Sequence, residues 1–349
     1  MKYSSKITVL AICTFAAAIL SGCQGGTPRK VADKQGLLFG VAVQTGEILN
    51  PKTAKFVTAN FNYLVPGDTT KWANIHPKKD FWNWSDTELM LKFAEKNNIK
   101  MKAHCFVWQD QNAPYIYSAK TRDEAIAILT DHITGFMTHF KGRIPEYDVA
   151  NETFLEDGTM RQTFWLKTIG PDYIDIAFKI AHEADPDAKL VLVDYNTEYA
   201  GTAKGDAMYE TVKGMKERGI PIDGVAHQLH CIAELPLNEE AIRENVRRFK
   251  ALGVYTSFSE VDVRIKMPVT PENEKQQCDV FAGLMNIAVT EPGVESMILW
   301  GFTDKTSWIP RAFAGYGSAN VLDAQMKEKP AYHALIKALK GDGKPKAAK

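Results

Sequence analysis

The stretch KLVLVDYN, residues 189–196, decides the fold class because its pattern recurs along the chain. Its centre is continuously apolar and its end is polar, which predicts a strand that is buried on both faces. Similar runs bounded by Gly, Pro, Asn or Asp begin near Leu37, Phe61, Lys100, Glu146, Gly224, Val254 and Ser296. The sequence therefore predicts eight buried strands.

Helical patterns with clear start signals separate most of these strands. Ser85-x-x-Glu88 and Thr121-x-x-Glu124 are predicted capping boxes, and Asn238 is a predicted N-cap. Strands that alternate with helices favour a parallel sheet covered by helices, and eight such units predict a single (β/α)8 TIM barrel of the α/β class. The alternative is a doubly wound open sheet, but no GxGxxG follows the first strand.

The composition indicates a soluble body whose partner carries little charge. The 349 residues include 42 Lys+Arg and 42 Asp+Glu, and 45% are hydrophobic. These values exclude a highly charged disordered chain. They also argue against a nucleic-acid-binding protein, because no basic excess is available to neutralise phosphates.

The first residues resemble a targeting signal. Lys2 and Lys6 precede an apolar run over 7–20, which is too short to span a bilayer. The run ends in LSGC, residues 20–23, which resembles the bacterial lipoprotein signal with Cys23 as the lipidated residue. An ordinary cleaved signal peptide is the alternative. A lipid on Cys23 predicts a membrane-anchored protein of the cell envelope, either periplasmic or on the outer-membrane surface.

The domain organisation follows from these signals. We expect a lipoprotein signal peptide over 1–22, a flexible tether over 23–34, one folded catalytic domain over 35–340 and a disordered tail over 341–349. The three cysteines of the folded part, Cys105, Cys231 and Cys278, allow at most one disulfide. The sequence contains neither CxxC nor HExxH, so we predict no metal site and no cofactor.

The predicted strand ends carry the polar chemistry. Glu152 and Glu260 follow two strands that are distant along the chain. Amides, imidazoles and indoles occur at the other strand ends, and these groups suit hydroxyls and sugar faces. Because the active site of such a barrel lies where its strands end, this ring predicts glycoside cleavage by a pair of carboxylates. No serine nucleophile elbow or phosphate-binding loop is present.

At these positions the chain resembles family 10 of the glycoside hydrolases, the endo-β-1,4-xylanase family. The matching segments are YDVANE at 147–152, SEVD at 259–262, HCFVWQDQ at 104–111, DYN at 194–196, QLH at 228–230 and WGFTDKTSW at 300–308. The resemblance implies a retaining enzyme that cleaves xylan through a covalent glycosyl-enzyme. Glu152 is then the acid/base and Glu260 the nucleophile, and such a pair lies ~5–5.5 Å apart.

The resemblance also assigns supporting residues. It implies that His230 orients the nucleophile and that Asp262 supports the same strand end. The implied contacts to a xylan-type polysaccharide or oligosaccharide are Asp68, Lys71, His104, Trp108, Gln111, Asn151, Tyr195, Gln228, Trp300 and Trp308. We expect a monomer that binds no nucleic acid.

The chain departs from the family where the second strand ends. The family usually has Glu-Asn-x-Met-Lys there, whereas this chain has Gly67, Asp68 and, three residues later, Lys71. Gln109 stands where the family commonly has histidine. These changes leave open a retaining glycosidase of the same family with an altered or decorated glycone, or with exo action. A non-catalytic glycan-binding lipoprotein is the third hypothesis.

Overall fold

A computed structural model describes residues 26–341 and contains a closed barrel of eight parallel strands. Each strand pairs with the next, and the eighth pairs with the first, for example through Val41 and Leu299. The barrel strands are β1 (Leu38–Val43), β2 (Tyr63–Pro66), β3 (Lys100–Val107), β4 (Glu146–Asn151), β5 (Lys189–Asp194), β6 (Gly224–His227), β7 (Tyr255–Lys266) and β8 (Val294–Leu299). Closure confirms the predicted (β/α)8 barrel and excludes the doubly wound open sheet.

Helices surround the barrel. They are α1 (Pro28–Gln35), α2 (Thr45–Leu49), α3 (Pro51–Asn60), α4 (Trp72–Ile75), α5 (Ser85–Lys96), α6 (Arg122–Phe140), α7 (Phe164–Ile169), α8 (Tyr173–Ala184), α9 (Ala203–Glu217), α10 (Glu239–Ala251), α11 (Pro271–Thr290), α12 (Ile309–Ala312) and α13 (Pro330–Lys340). A 3₁₀ helix covers Pro114–Ser118, and two short strands, His230–Ile232 and Tyr316–Gly317, pair with β7. No helix within residues 26–341 is long and apolar enough to cross a membrane.

All three predicted helices are present, and two of their three predicted caps are confirmed. Thr121 and Glu124 form the reciprocal capping box of α6, and the Asn238 side chain accepts a hydrogen bond from the backbone N–H of Ala241. The box at Ser85 is wrong, because Ser85 is already helical and Trp84 occupies the N-cap position. The carboxylate of Glu88 instead accepts hydrogen bonds from Arg143 and His139 of the neighbouring chain segment.

The predicted tether over 23–34 is wrong for residues 28–34, which belong to α1. Pro28, which suggests a flexible segment in the sequence, is the first residue of this helix, and Gly36 is its left-handed C-cap. Ala32 of α1 is buried. Residues 1–25 and 342–349 lie outside the described residues, so the signal peptide, the lipid on Cys23 and the tail stay predictions.

The contacts of α1 place it beneath the barrel, at the ends where strands begin. Arg29 Nη2 donates to the carbonyls of Asn97 and Asn98, which precede β3. Asn62, which precedes β2, donates to Asp33 Oδ1 over 2.7 Å. Helix α1 therefore closes the face of the barrel opposite to the strand ends that carry the polar ring.

A stack of aromatic rings fills the space outside β3. The rings of Trp84, Trp82 and His76 lie parallel, with centroids 4.4 and 3.8 Å apart. His132 lies against Trp72 at 3.7 Å and parallel to His76 at 5.4 Å. These rings contribute apolar area in stacked geometry, so they serve packing of α4, α5 and α6.

Two buried histidines should make the free energy of unfolding depend on pH. Burial lowers the pKa of His227 to about 3 and that of His132 well below its ordinary value. The unfolded chain titrates these groups near pH 6.5 and therefore binds more protons below that value. We expect the contribution of these two histidines to the free energy of unfolding to be complete above pH ~6.5 and to fall by up to about 1.4 kcal/mol per pH unit and histidine below it.

Urea unfolding at about pH 7 and about pH 5 measures this effect. His227→Gln removes one titrating group, so its unfolding free energy will change less between the two pH values than that of the wild type. Equal pH dependence in the two proteins would contradict the assignment. His333→Gln is the matched control, because that histidine is exposed.

Candidate active site

A cavity of about 640 Å³ opens where the parallel strands end. It brings together every predicted catalytic and substrate-binding residue. Its lining includes Asp68, Lys71, His104, Trp108, Gln111, Asn151, Glu152, Tyr195, Gln228, His230, Glu260, Trp300 and Trp308. Asp262 does not line the cavity and lies behind His230, with 1% of its surface exposed. Both carboxylates thus face one cavity from different strands.

Glu260 lies on β7 and is held between two imidazoles. Its Oε2 is 3.3 Å from His230 Nε2, and its Oε1 is 3.8 Å from His104 Nε2. Burial favours the neutral acid, but the charges of His104, His230 and Lys71 prevail and hold the pKa of Glu260 below its ordinary value. Glu260 is therefore an anion at neutral pH.

His230 owes its charge to the carboxylate behind it. Its Nδ1 is 3.1 Å from Asp262 Oδ2, and the same oxygen accepts a hydrogen bond from Trp308 Nε1 over 2.8 Å. Burial disfavours the imidazolium, yet Asp262 and Glu260 together raise the pKa of His230 to about 10. The series Trp308–Asp262–His230 therefore fixes both the orientation and the charge of the group that contacts Glu260.

Asp262→Asn tests this series through the pH profile. Without the carboxylate the pKa of His230 will fall, and a neutral imidazole stabilises the Glu260 anion less. The pKa of Glu260 will rise, so we expect the acid limb of kcat/KM to move up by about one pH unit. An unchanged acid limb would contradict the series. The exposed Asp187 supplies the control variant, Asp187→Asn.

His104 is fixed by buried charges that sequence reasoning missed. Its Nδ1 lies 2.9 Å from Asp148 Oδ2, and Lys102 Nζ lies 2.6 Å from Asp148 Oδ1 and 2.8 Å from Glu146 Oε1. Burial opposes the charge on Lys102, but Asp148 and Glu146 raise its pKa. The sequence does contain one sign of these buried charges, because Lys102 and Asp148 stand inside strands that are otherwise apolar.

Glu152 has a different environment from Glu260. It follows β4 with φ of 54°, a left-handed conformation that is costly for a residue with a side chain. Gln109 Nε2 donates to its Oε2 over 2.9 Å, and Gln228 Nε2 lies 3.3 Å from its Oε1. Within residues 26–341 the carboxylate of Glu152 contacts amides and no cation, whereas Glu260 contacts imidazoles.

Arg161 is a second residue that sequence reasoning missed. Its Nε donates to the backbone carbonyl of Glu152 over 3.0 Å, and its Nη2 donates to the hydroxyl of Tyr195 over 2.7 Å. The ring of Tyr195 also lies 3.1 Å from Lys204 Nζ. Arg161 does not follow a barrel strand and belongs to none of the matching motifs. Its place at the site is therefore visible in the folded structure and not in the sequence.

Lys71 marks the opposite part of the cavity. Its Nζ lies 5.2 Å from the ring of Trp108 and 5.9 Å from the ring of Trp300. It also pairs with Asp68 at 3.4 Å. No group of three or more metal-ligating side chains occurs within residues 26–341.

A barrel whose strand ends hold one anionic and one amide-bonded carboxylate among indoles defines the class of the glycoside hydrolases. The comparisons with known proteins give the family. The model of glycosyl hydrolase family 10 matches residues 28–338, and the chain belongs to this family. The matched region begins at α1, in agreement with its place in the fold.

Relatives and solved structures agree with this family. Endo-1,4-beta-xylanase B of Thermotoga neapolitana is 35% identical over 319 residues, which cover 90% of this chain and 92% of that protein. Endo-1,4-beta-xylanase D of Talaromyces funiculosus is 36% identical over 94% of this chain and 80% of its own length. Xylanase 10B from Thermotoga petrophila, solved with xylobiose, has a TM-score of 0.87 and 36% identity, covering 91% of this chain and 98% of that chain.

Proposed function

We propose that this protein is a retaining endo-β-1,4-xylanase. The observation that carries the proposal is the pair of carboxylates in one cavity, with Glu260 held as an anion by His104 and His230. Relatives named as endo-1,4-beta-xylanases match nearly the whole described chain, and one similar structure binds xylobiose, so we infer a xylan-type substrate.

In the first step, a carboxylate oxygen of Glu260 attacks the anomeric carbon. The bond from that carbon to the glycosidic oxygen breaks, and its electron pair stays on the oxygen, which takes a proton from Glu152. The products are a covalent glycosyl-enzyme on Glu260 and a free sugar chain with a new hydroxyl.

In the second step, Glu152 acts as a base. It takes a proton from water while the water oxygen attacks the anomeric carbon and displaces Glu260, which leaves as a carboxylate. Two inversions give retained configuration. The same charges that hold Glu260 as an anion make it a good leaving group, because His104 and His230 stabilise the charge that returns to it.

A product analysis tests the substrate. We expect linear xylan to yield a mixture of short xylo-oligosaccharides, with a rapid fall in viscosity that is typical of internal cleavage. Release of one short product from chain ends would contradict endo action, and activity confined to decorated xylan would favour an altered glycone. Absence of any cleavage would favour the non-catalytic glycan-binding hypothesis.

We also propose that the protein is a lipoprotein of the cell envelope, anchored through Cys23. The LSGC sequence at the end of an apolar run supports this proposal. Full-length protein expressed in a bacterium should take up labelled fatty acid and sediment with membranes. Cys23→Ser should abolish both, while Cys278→Ser should change neither. Labelling that persists in Cys23→Ser would overturn the proposal.

We also propose a monomer as the active form, because one chain supplies every predicted catalytic and substrate-binding residue of the cavity. Light scattering should give the mass of one chain at all concentrations at which the enzyme is active. A dimer mass would contradict this proposal.

A further inference from the structure

Gln44 fills the space that a side chain at position 67 would occupy. A Cβ atom built on Gly67 would lie 2.5 Å from Gln44 Nε2 and 3.3 Å from Gln44 Cδ. Real Cβ atoms essentially never approach other atoms this closely, so a side chain at position 67 would require the Gln44 amide to move away. Glycine at the end of β2 therefore makes room for an amide that comes from the end of β1.

The start of α2 fixes the backbone at Gln44. Gln44 is the N-cap of α2, and its backbone carbonyl accepts a hydrogen bond from the backbone N–H of Glu47 over 2.9 Å. Glu47 Oε2 accepts a hydrogen bond from the backbone N–H of Gln44 over 2.8 Å, and Glu47 Oε1 accepts one from Thr306 over 2.9 Å. These bonds fix the direction in which the Gln44 side chain leaves the backbone.

The amide donors of Gln44 face the cavity. Gln44, Glu47, Gly67 and Asp68 all line it, and Gln44 is exposed to solvent. Among residues 26–341 no hydrogen bond uses Gln44 Nε2 as donor. A donor without an acceptor, on the same cavity wall as the carboxylate of Asp68, suits a sugar hydroxyl, which can accept from one group and donate to the other.

The position of Gln44 identifies which sugar it meets. The leaving sugar must lie beside Glu152, its proton donor, next to the ends of β4, β5 and β6. Strand β1 lies across the barrel from β5, so a sugar beside Gln44 stays on Glu260. Lys71, whose charge acts on Glu260, pairs with Asp68 at 3.4 Å, and Gln44 lies against Gly67 on the far side of Asp68, so we place Gln44 one sugar further out.

We propose that Gln44 is a specificity-determining residue that donates a hydrogen bond to the second sugar on the non-reducing side of the cleaved bond, and that Gly67 is its steric complement. This inference rests on the proposed function. With this role, Gln44 on β1 supplies a polar contact to the second sugar, although Gly67 at the end of β2 has no side chain to do so.

Two aryl glycosides separate this role from general damage. An aryl β-xyloside places one sugar on the non-reducing side, and an aryl β-xylobioside places two. We expect Gln44→Ala to lower the ratio of kcat/KM for the xylobioside to that for the xyloside about five- to tenfold, the loss of one hydrogen bond. Gln44→Glu keeps the shape but removes the donors, so it should lower the ratio as much.

Position 67 supplies an independent arm. Gly67→Ala pushes the amide away and should lower the ratio in the wild-type background. In the Gln44→Ala background the same change should have little further effect, because the collision is gone. Gln325→Ala, an exposed glutamine outside the cavity, is the matched control and should leave the ratio unchanged.

The outcomes distinguish the two proposals. A wild-type enzyme that cleaves the xylobioside, combined with an unchanged ratio in Gln44→Ala and Gln44→Glu, overturns the role of Gln44 alone. A wild-type enzyme that cleaves neither glycoside overturns the xylanase proposal and this inference together. If the double variant Gly67→Ala/Gln44→Ala lowers the ratio by the product of the two single effects, Gly67 is not the steric complement of Gln44.

Discussion

Glu260→Ala will lower kcat/KM on xylan by ~10⁴-fold or more, because the covalent route loses its nucleophile. Removal of this carboxylate leaves the Nε2 atoms of His104 and His230 without their anionic partner. Both the attack on the anomeric carbon and the stabilisation of its positive charge are then lost. Reducing-sugar release from xylan measures the effect, and thermal unfolding checks that the variant is folded.

Small anions provide the decisive control for Glu260→Ala. Azide can enter the space of the lost carboxylate and attack an activated aryl xylobioside once, directly at the anomeric carbon. The product should be the glycosyl azide of inverted configuration. A retained azide product, or a fall in rate of less than tenfold, would show that Glu260 is not the nucleophile. Glu217→Ala, at an exposed position on α9, is the matched control variant.

Glu152→Ala will have an effect that depends on the leaving group. Loss of a general acid costs ~10²–10⁴-fold where the leaving sugar needs a proton, as in xylan. An aryl group of low pKa leaves without protonation, so the first step on such a substrate will be much less affected. Hydrolysis of the glycosyl-enzyme then becomes slow, and a burst of released phenol will precede a slow steady state.

Azide again checks the assignment of Glu152. It needs no base, so it should restore turnover of the aryl substrate and give the glycosyl azide of retained configuration. Equal losses on xylan and on the activated aryl substrate would contradict a role in proton transfer. Glu152→Gln keeps the size of the side chain and separates loss of the proton from loss of packing.

The strands could be predicted because each is buried on both faces. Runs such as the one at 189–194 have no polar face, and eight of them allow few architectures other than a closed barrel. Helix α1 escapes a local reading of the sequence because a small, polar segment with Pro28 favours a tether, although Pro28 begins a helix that Gly36 caps. Ala32 is the buried residue of this eight-residue helix, and a single buried position gives no periodic apolar pattern.

The two carboxylates could be predicted from their motifs, but their environments could not. Lys102 and Asp148 lie inside strands whose other residues are apolar, and their pairing depends on the register of β3 against β4. Gln44 depends on the space left by Gly67 across two neighbouring strands. Contacts of this kind are set by tertiary structure, so a local reading of the sequence does not find them.

The placement of α1 has a practical consequence for the orientation of the protein on a solid support. Its first described residues lie under the barrel, and the cleft opens at the other end. A bead, a resin or a lipid sheet that holds the chain by residues before α1 therefore leaves the cleft pointing outward. Immobilisation through that terminus should preserve attack on long insoluble fibres, whereas attachment near the strand ends should block it.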